Sequence, residues 1–316
     1  MVALSTAYFT LRSPEPAGAD MADGLRRLGF GAVEIDYRVT AEQMRALRPV
    51  LAAAGIAVAS VHAPFPRDPW ADPRRAHLEG PKLTSPDPDE RRAAVRLVAE
   101  SLAWAEDLGA PVVVVHVGAV EWPGEPDPLD LERRFREAGR DGPGYEDLRR
   151  AVAEARERWA PRFRDAALSS LDRLAAEALR RGVALGLENR YHPAEIPSAD
   201  ELALFFRELD GAPLGYWHDT GHAAAQTCLG FQEGPEELLE RFADRVAGFH
   251  LHDAVGLDDH RAPGEGELDF APLAPHFRAD RPRVLEIHPR SPEPAVLAAR
   301  ERFEACPPGL GTTPAP

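Results

Sequence analysis

Cysteine is almost missing from this chain: Cys228 and Cys306 are the only two in 316 residues, far apart and in unlike contexts. That excludes a disulfide framework and a thiolate metal site, so any bound metal has to be held by nitrogen and oxygen. Long apolar runs are missing as well. No stretch approaches the roughly 20 residues that span a bilayer, and the opening MVALSTAYFT lacks the basic end and apolar core of a signal peptide. The expected setting is cytoplasmic, with no membrane partner. Positive charge is also in short supply, because 37 basic residues face 52 acidic ones and leave a formal charge of −15. A balance of that sign disfavours a long polyanion and ranks nucleic acid below small molecules as a partner. Arg67, Arg74, Arg75 and Lys82 nevertheless fall in one connection and leave room for a local basic groove.

What is present is a globular composition, 44% hydrophobic, in which short β-branched runs alternate with longer amphipathic segments. Such alternation marks βα units around a parallel sheet. The predicted strands are Ala3–Phe9, Ala32–Tyr37, Ala57–His62, Pro111–Val117, Val183–Asn189, Leu214–His218, Ala247–His252 and Arg283–His288. Between them, TAEQ at Thr40–Gln43 and SADE at Ser198–Glu201 read as capping boxes. Val95, Val98 and Leu102 form an apolar stripe that Gly109 stops. Eight strands, each but the last feeding a helix-like connection, argue for a single (β/α)8 TIM barrel over residues 1–305 rather than an open sheet. Long connections after the third strand (Pro64–Asp89) and the fourth (Glu121–Tyr145) leave room for lids. The tail over 306–316, rich in Pro and Gly, reads as disordered.

The polar residues follow a rule of position. His62 closes the third predicted strand, His116 the fourth, Glu188 the fifth, Asp219 and His222 the sixth, His250 the seventh and Glu286 the eighth. All sit at C-terminal strand ends, the face on which TIM barrels build active sites. Strand alternation agrees, since Leu185 and Leu187 oppose Gly186 and Glu188, and Leu285 and Ile287 oppose Glu286 and His288. Any one of these residues alone is more simply a hydrogen-bonded structural group. Their joint placement is the signal, because every histidine except His77 and His276 lies at or just beyond a predicted strand end.

Carboxylates and imidazoles together suit Zn, Mn, Co or Fe better than Ca. The densest stretch is FHLHDAVGLDDHRAPGEGELDF, from Phe249 to Phe270. Asp219 and His222 at i, i+3, and Asp258 and His260 at i, i+2, have spacings that let neighbouring cations share a loop. His192, His218, His252 and His288 are left between substrate contact and ligand support. Asp253 reads as structural, Gly264 and Gly266 as turn glycines, and Tyr216, Trp217 and Phe249 as core.

In this order, VEIDYR, VHAPF, VVHVG, LENRYH, HDTGHA, HLHDAVG…DDHRAPGEGELDF and VLEIHP resemble the xylose-isomerase-like TIM barrel superfamily of sugar isomerases, epimerases and endonuclease IV. The resemblance spans the whole barrel. It implies one divalent cation (Zn, Mn or Co) on Glu188, Asp219, His250 and Glu286, with Glu188 and Glu286 moving a proton through a metal-stabilised enediolate of a small sugar or sugar phosphate. His222, His252, Arg261 and His288 would then contact the substrate. The endonuclease IV pattern adds His62, His116, His222, Asp258 and His260, for up to three ions and a zinc phosphoesterase as the alternative. Under either reading the partner is a small molecule first, and a homo-oligomer is left open.

Overall fold

The computed structural model describes residues 1–12, 15–67 and 80–305. The tail at 306–316, His77, Arg74 and Arg75, and part of the Pro64–Asp89 connection lie outside the described residues. Eight strands form a closed parallel barrel: β1 (Val2–Ser5), β2 (Ala32–Ile35), β3 (Ala57–His62), β4 (Val112–Val115), β5 (Ala184–Glu188), β6 (Leu214–Asp219), β7 (Val246–Leu251) and β8 (Arg283–Leu285). Each strand pairs with its neighbours in sequence, and β8 closes on β1 through Val2 beside Arg283 and Leu4 beside Leu285. This is a single (β/α)8 TIM barrel.

Alternation along the strands sorts the side chains into two layers. Leu185, Leu187, Leu285 and Ile287 join the apolar layer between strands and helices. The inward layer at the floor of the barrel combines Ala3, Ala32, Ala59, Ala184 and Ala247 with Val112, Val114 and Val284 around the indole of Trp217. Gly248 has a steric reason to lack a side chain here, because a Cβ on it would lie 2.2 Å from Trp217 Cζ3. The floor is filled by one large ring, and the polar groups are thereby confined to the layer above it.

Helix signals act where the sequence places them. Thr40 and Gln43 make a reciprocal capping box at the start of helix Ala41–Ala54, and Ser198 and Glu201 do so for Ala199–Glu208. Gly109 ends helix Pro88–Leu108 in the left-handed conformation. Two expectations need correction. The first strand stops at Ser5, and Ala7–Thr10 is a helical turn whose four residues are all buried. A short apolar run suits a buried turn as well as a buried strand, so periodicity alone could not separate them. The eighth strand also feeds a helix, Glu293–Ala305.

Two short antiparallel ladders stand on the rim at the C-terminal ends of the strands. Asp253–Val255 pairs with Asp258–Arg261, and Gly118–Ala119 pairs with Glu195–Ile196. The connection after β4 is not a bare loop. It carries helix Pro128–Ala138 and runs into the 37-residue helix Tyr145–Arg181. No helix among the described residues is long and apolar enough to cross a membrane.

Candidate metal centre

The C-terminal ends of β5, β6 and β7, with Glu286 just after β8, converge above the floor. Glu188, Asp219, His250 and Glu286 each offer a donor atom, and these atoms all lie within 4.8 Å of one another. All four side chains are buried. His250 Nδ1 lies 2.7 Å from Glu188 Oε1, 3.1 Å from Glu286 Oε2 and 3.7 Å from Asp219 Oδ2. Burial pushes the His250 pKa down, but Glu286, Glu34 and Glu188 outweigh it and hold the imidazole protonated well above its usual range. The same charges act in reverse on Glu188. Burial pushes its carboxyl up, and His116 and His250 pull it well below the usual range. Three buried carboxylates in one pocket repel one another unless a positive charge sits among them. The donor set therefore fits a divalent cation, taken by oxygen and one imidazole nitrogen.

Three further groups adjoin this one among the described residues. His62, His116 and Glu188 form the first, His222, Asp259 and His260 the second, and His252, His260 and Glu286 the third. Glu188 is common to the first and to the principal set, with Oε2 lying 2.6 Å from His116 Nε2, 3.1 Å from Arg190 Nη1 and 3.6 Å from His62 Nε2. Both oxygens of Glu188 are thus engaged. The ring orientations are set from behind. His62 Nδ1 faces the Ala63 carbonyl at 3.1 Å and His222 Nδ1 faces the Asn189 carbonyl at 3.0 Å. A carbonyl only accepts, so each Nδ1 carries a proton and Nε2 is the nitrogen that would ligate. Burial lowers the His62 pKa, but Glu188, Glu34 and Glu286 outweigh it and raise it above its ordinary value. Burial, aided by Arg190, pushes His116 well below its ordinary pKa, and its Nε2–H donates to Glu188 Oε2.

The stretch from His250 to Leu268 brings the second group down to the mouth. Asp253 organises it: Oδ2 accepts from the Gly264 and Gly266 amides and Oδ1 from those of Ala254 and Leu268. At Gly266 a Cβ would lie 2.3 Å from Asp253 Oδ1, which is why the turn needs glycine there. His260 sits at φ 56, the only non-glycine residue with positive φ among the described residues. The strained backbone aims its ring inward, where it stacks on His252 at 4.2 Å and on His288 at 4.1 Å. Burial lowers the His260 pKa, but the adjoining Asp259 overrides it and raises it to about 9.

Here the structure differs from the sequence reading. Asp258 does not join the imidazoles. It is exposed, with an ion pair to Arg261 and another to Arg290 at 2.6 Å, and Asp259 takes the inward place. The tight hairpin turn decides which of two adjacent carboxylates faces in, and spacing in sequence does not. Arg261, expected on the substrate, is engaged by Asp258 on the outer edge of the hairpin. His252, expected there as well, is fully buried. Its Nδ1 accepts from the His260 amide at 2.9 Å, so its Nε2–H donates to Asp219 Oδ2 at 2.9 Å. That ring positions Asp219. His288 lies against His260, and its amide donates to the His260 carbonyl at 3.0 Å.

Four groups escaped the sequence reading. Glu34, near the end of β2, is fully buried and lies 2.9 Å from His250 Nε2. Its position close to a strand end was the available signal. Asn189 clamps β5 to β6, with Oδ1 accepting from the Asp219 amide at 2.7 Å. Arg190 bridges Glu188 and Glu195, and its charge, after burial is overcome, holds Glu195 down to about 2. Glu132 on helix Pro128–Ala138 meets His192 Nδ1 at 2.5 Å, so the region after β4 closes down on the loop after β5.

Fold and site together define a parallel barrel whose mouth gathers an oxygen and nitrogen donor set suited to divalent cations. The chain belongs to the xylose isomerase-like TIM barrel family, whose sequence pattern matches residues 22–306. An uncharacterized protein of Sinorhizobium fredii, y4fM, is 25% identical over 264 residues, covering 78% of this chain and 73% of that one. Among solved structures, a D-tagatose 3-epimerase-like protein superposes with a TM-score of 0.68 at 18% identity, over 96% of this chain and 95% of the other. The 3-keto-D-glucoside 4-epimerase YcjR from E. coli gives 0.66 at 16% identity, covering 96% and 99%. The D-psicose 3-epimerase from Clostridium cellulolyticum H10 gives 0.66 at 15%, covering 96% and 98%. At these identities the likeness is one of fold.

Proposed function

We propose that this chain is a divalent-metal-dependent isomerase or epimerase of a small sugar or sugar phosphate. The observation that carries the reading is the buried group of Glu188, Asp219, His250 and Glu286 at the barrel mouth. The sugar epimerases of similar fold support the substrate class. A cation bound there polarises a substrate carbonyl and its adjacent hydroxyl and so acidifies the neighbouring C–H. Glu188 and Glu286, which both reach His250 Nδ1, would exchange a proton with that carbon. Arg190 and His116 hold Glu188 ionised between them, so it accepts a proton only when the substrate displaces one of its partners. Tyr37, whose ring lies 5.0 Å from that of His62, helps exclude water from this side.

The second reading, a phosphoesterase of the endonuclease IV type, rests on His62 and His116 on one flank and His222, Asp259 and His260 on the other. Charge separates the two. One divalent ion leaves Glu188, Asp219 and Glu286 in excess, which suits a neutral sugar. Three ions outweigh those carboxylates and Asp259 together, which suits a phosphodiester. In that case Glu188, which belongs to two of the donor groups, would hold metal with both oxygens and would have none free for proton transfer.

The test is elemental analysis of chain purified without added metal, followed by a panel of ketoses and aldoses in D2O with Mn, Co, Mg or Zn. About one ion per chain with solvent deuterium entering one sugar is expected. Three zinc ions, no deuterium incorporation, and cleavage of abasic DNA that weakens steeply with salt would replace this reading with the second.

A further inference from the structure

Behind the metal-facing side of His250 lies a buried chain of polar groups from two other strands. Glu34, near the end of β2, places Oε2 2.9 Å from His250 Nε2, and the Ser60 hydroxyl on β3 donates to the same oxygen at 2.7 Å. Glu34, Ser60 and His250 are all fully buried. No arginine or lysine contacts the Glu34 carboxylate among the described residues, and its Oε1 has no hydrogen-bond partner. A carboxylate withdrawn from water is costly to the fold, and here only the His250 imidazole and the Ser60 hydroxyl offset that cost, so its place is explained by what it does to His250 rather than by packing.

The geometry points to Glu34 as a positioning residue for the metal, acting through His250. A carboxylate only accepts, so Nε2 of His250 must carry a proton. The lone pair is then on Nδ1 once the cation replaces the other proton, and Nδ1 is the atom that faces Glu188, Asp219 and Glu286. Glu34 thus selects the ring orientation, and its negative charge makes the imidazole a stronger donor. Ser60 holds the carboxylate oxygen in line. The strand register makes the arrangement possible, because Glu34 and Ser60 are direct neighbours across β2 and β3. This inference rests on the proposed metal centre but not on which reaction it serves.

The test is titration of metal-free chain with Zn and with Co against a chromophoric chelator, at one pH, for the native protein, Glu34→Gln and Ser60→Ala. Glu34→Gln keeps the shape and removes the charge. It is expected to weaken metal binding by about tenfold or more, to shift the visible absorption of bound Co, and to leave the melting temperature of the metal-free chain unchanged or higher. A purely structural role for Glu34 would lower that melting temperature and leave the Co spectrum alone, and this outcome overturns the inference. Ser60→Ala is expected to weaken binding a few-fold. Native affinity and spectrum in Ser60→Ala overturn the inference if Glu34→Gln does not fold, and native affinity in Glu34→Gln overturns it outright. In both of these cases the metal centre itself survives. Failure of the native chain to take up any divalent metal overturns both.

Discussion

Asp258 and Asp259 are adjacent and chemically identical, yet they have opposite surroundings. Asp259 is held ionised beside His260, after burial is overcome, while Asp258 is neutralised at the surface by Arg290 and Arg261. Asp259→Asn is therefore expected to remove an ion bound beside His222 and to leave the principal ion in place. Asp258→Asn is expected to bind the full native complement. Counting bound zinc in both variants by elemental analysis checks the assignment, and the opposite result would mean the hairpin turns over when metal enters. His250→Ala is expected to abolish tight uptake altogether, since it removes the only nitrogen of the principal set, whereas His260→Ala should retain the principal ion. Equilibrium dialysis of the two alanine variants distinguishes these outcomes.

At the scale of elements, one of the contacts that pin the segment after β4 to the loop after β5 pairs a histidine with a carboxylate. His192 is partly exposed, and burial lowers its pKa, but the hydrogen bond to Glu132 prevails and raises it above its ordinary value. A raised histidine stabilises the fold fully below its unfolded value and loses that contribution as pH rises through the folded value. The contact between helix Pro128–Ala138 and the loop after β5 is therefore expected to be tightest on the acid side of neutrality and to loosen on the alkaline side. Melting temperatures of native chain and His192→Gln should differ most at about pH 6 and converge above about pH 8. The difference will be small, because an exposed ring is screened by solvent. A gap that widened with pH would show that the neutral ring carries the contact. The rim ladder of Gly118–Ala119 on Glu195–Ile196 ties the same two connections together.

For the molecule as a whole, the floor and the mouth of the barrel make opposite demands. The floor is closed by Trp217 against alanines and glycines, and Gly248→Ala would drive a methyl group to within 2.2 Å of the indole. A destabilisation of about 1–3 kcal/mol is expected from such overpacking, read as a lowered denaturation midpoint with an unchanged slope. The mouth instead concentrates buried charge, and a ligand that binds only the folded chain adds to its stability. Metal at about 100 times its Kd should stabilise by about 2.7 kcal/mol. Thermal melts with and without a chelator measure this, and identical curves would argue against a metal centre.

The eight strands, their order and the placement of polar groups at strand ends were legible in the sequence because period-2 alternation and capping boxes are local signals. Glu188, Asp219, His250 and Glu286 stood out with His62, His116 and His222 for the same reason, as strand-end polar groups, and the family resemblance rather than the local pattern singled out those four as one set. Tertiary structure alone decided which atoms of those residues meet. Asp259 rather than Asp258 turns inward because of the hairpin, His252 meets Asp219, and Glu34 reaches His250 across 216 positions of chain. Local pattern records which face of a strand a residue occupies. It does not record which of several inward groups, brought together from different strands by closure of the barrel, come within hydrogen-bonding distance.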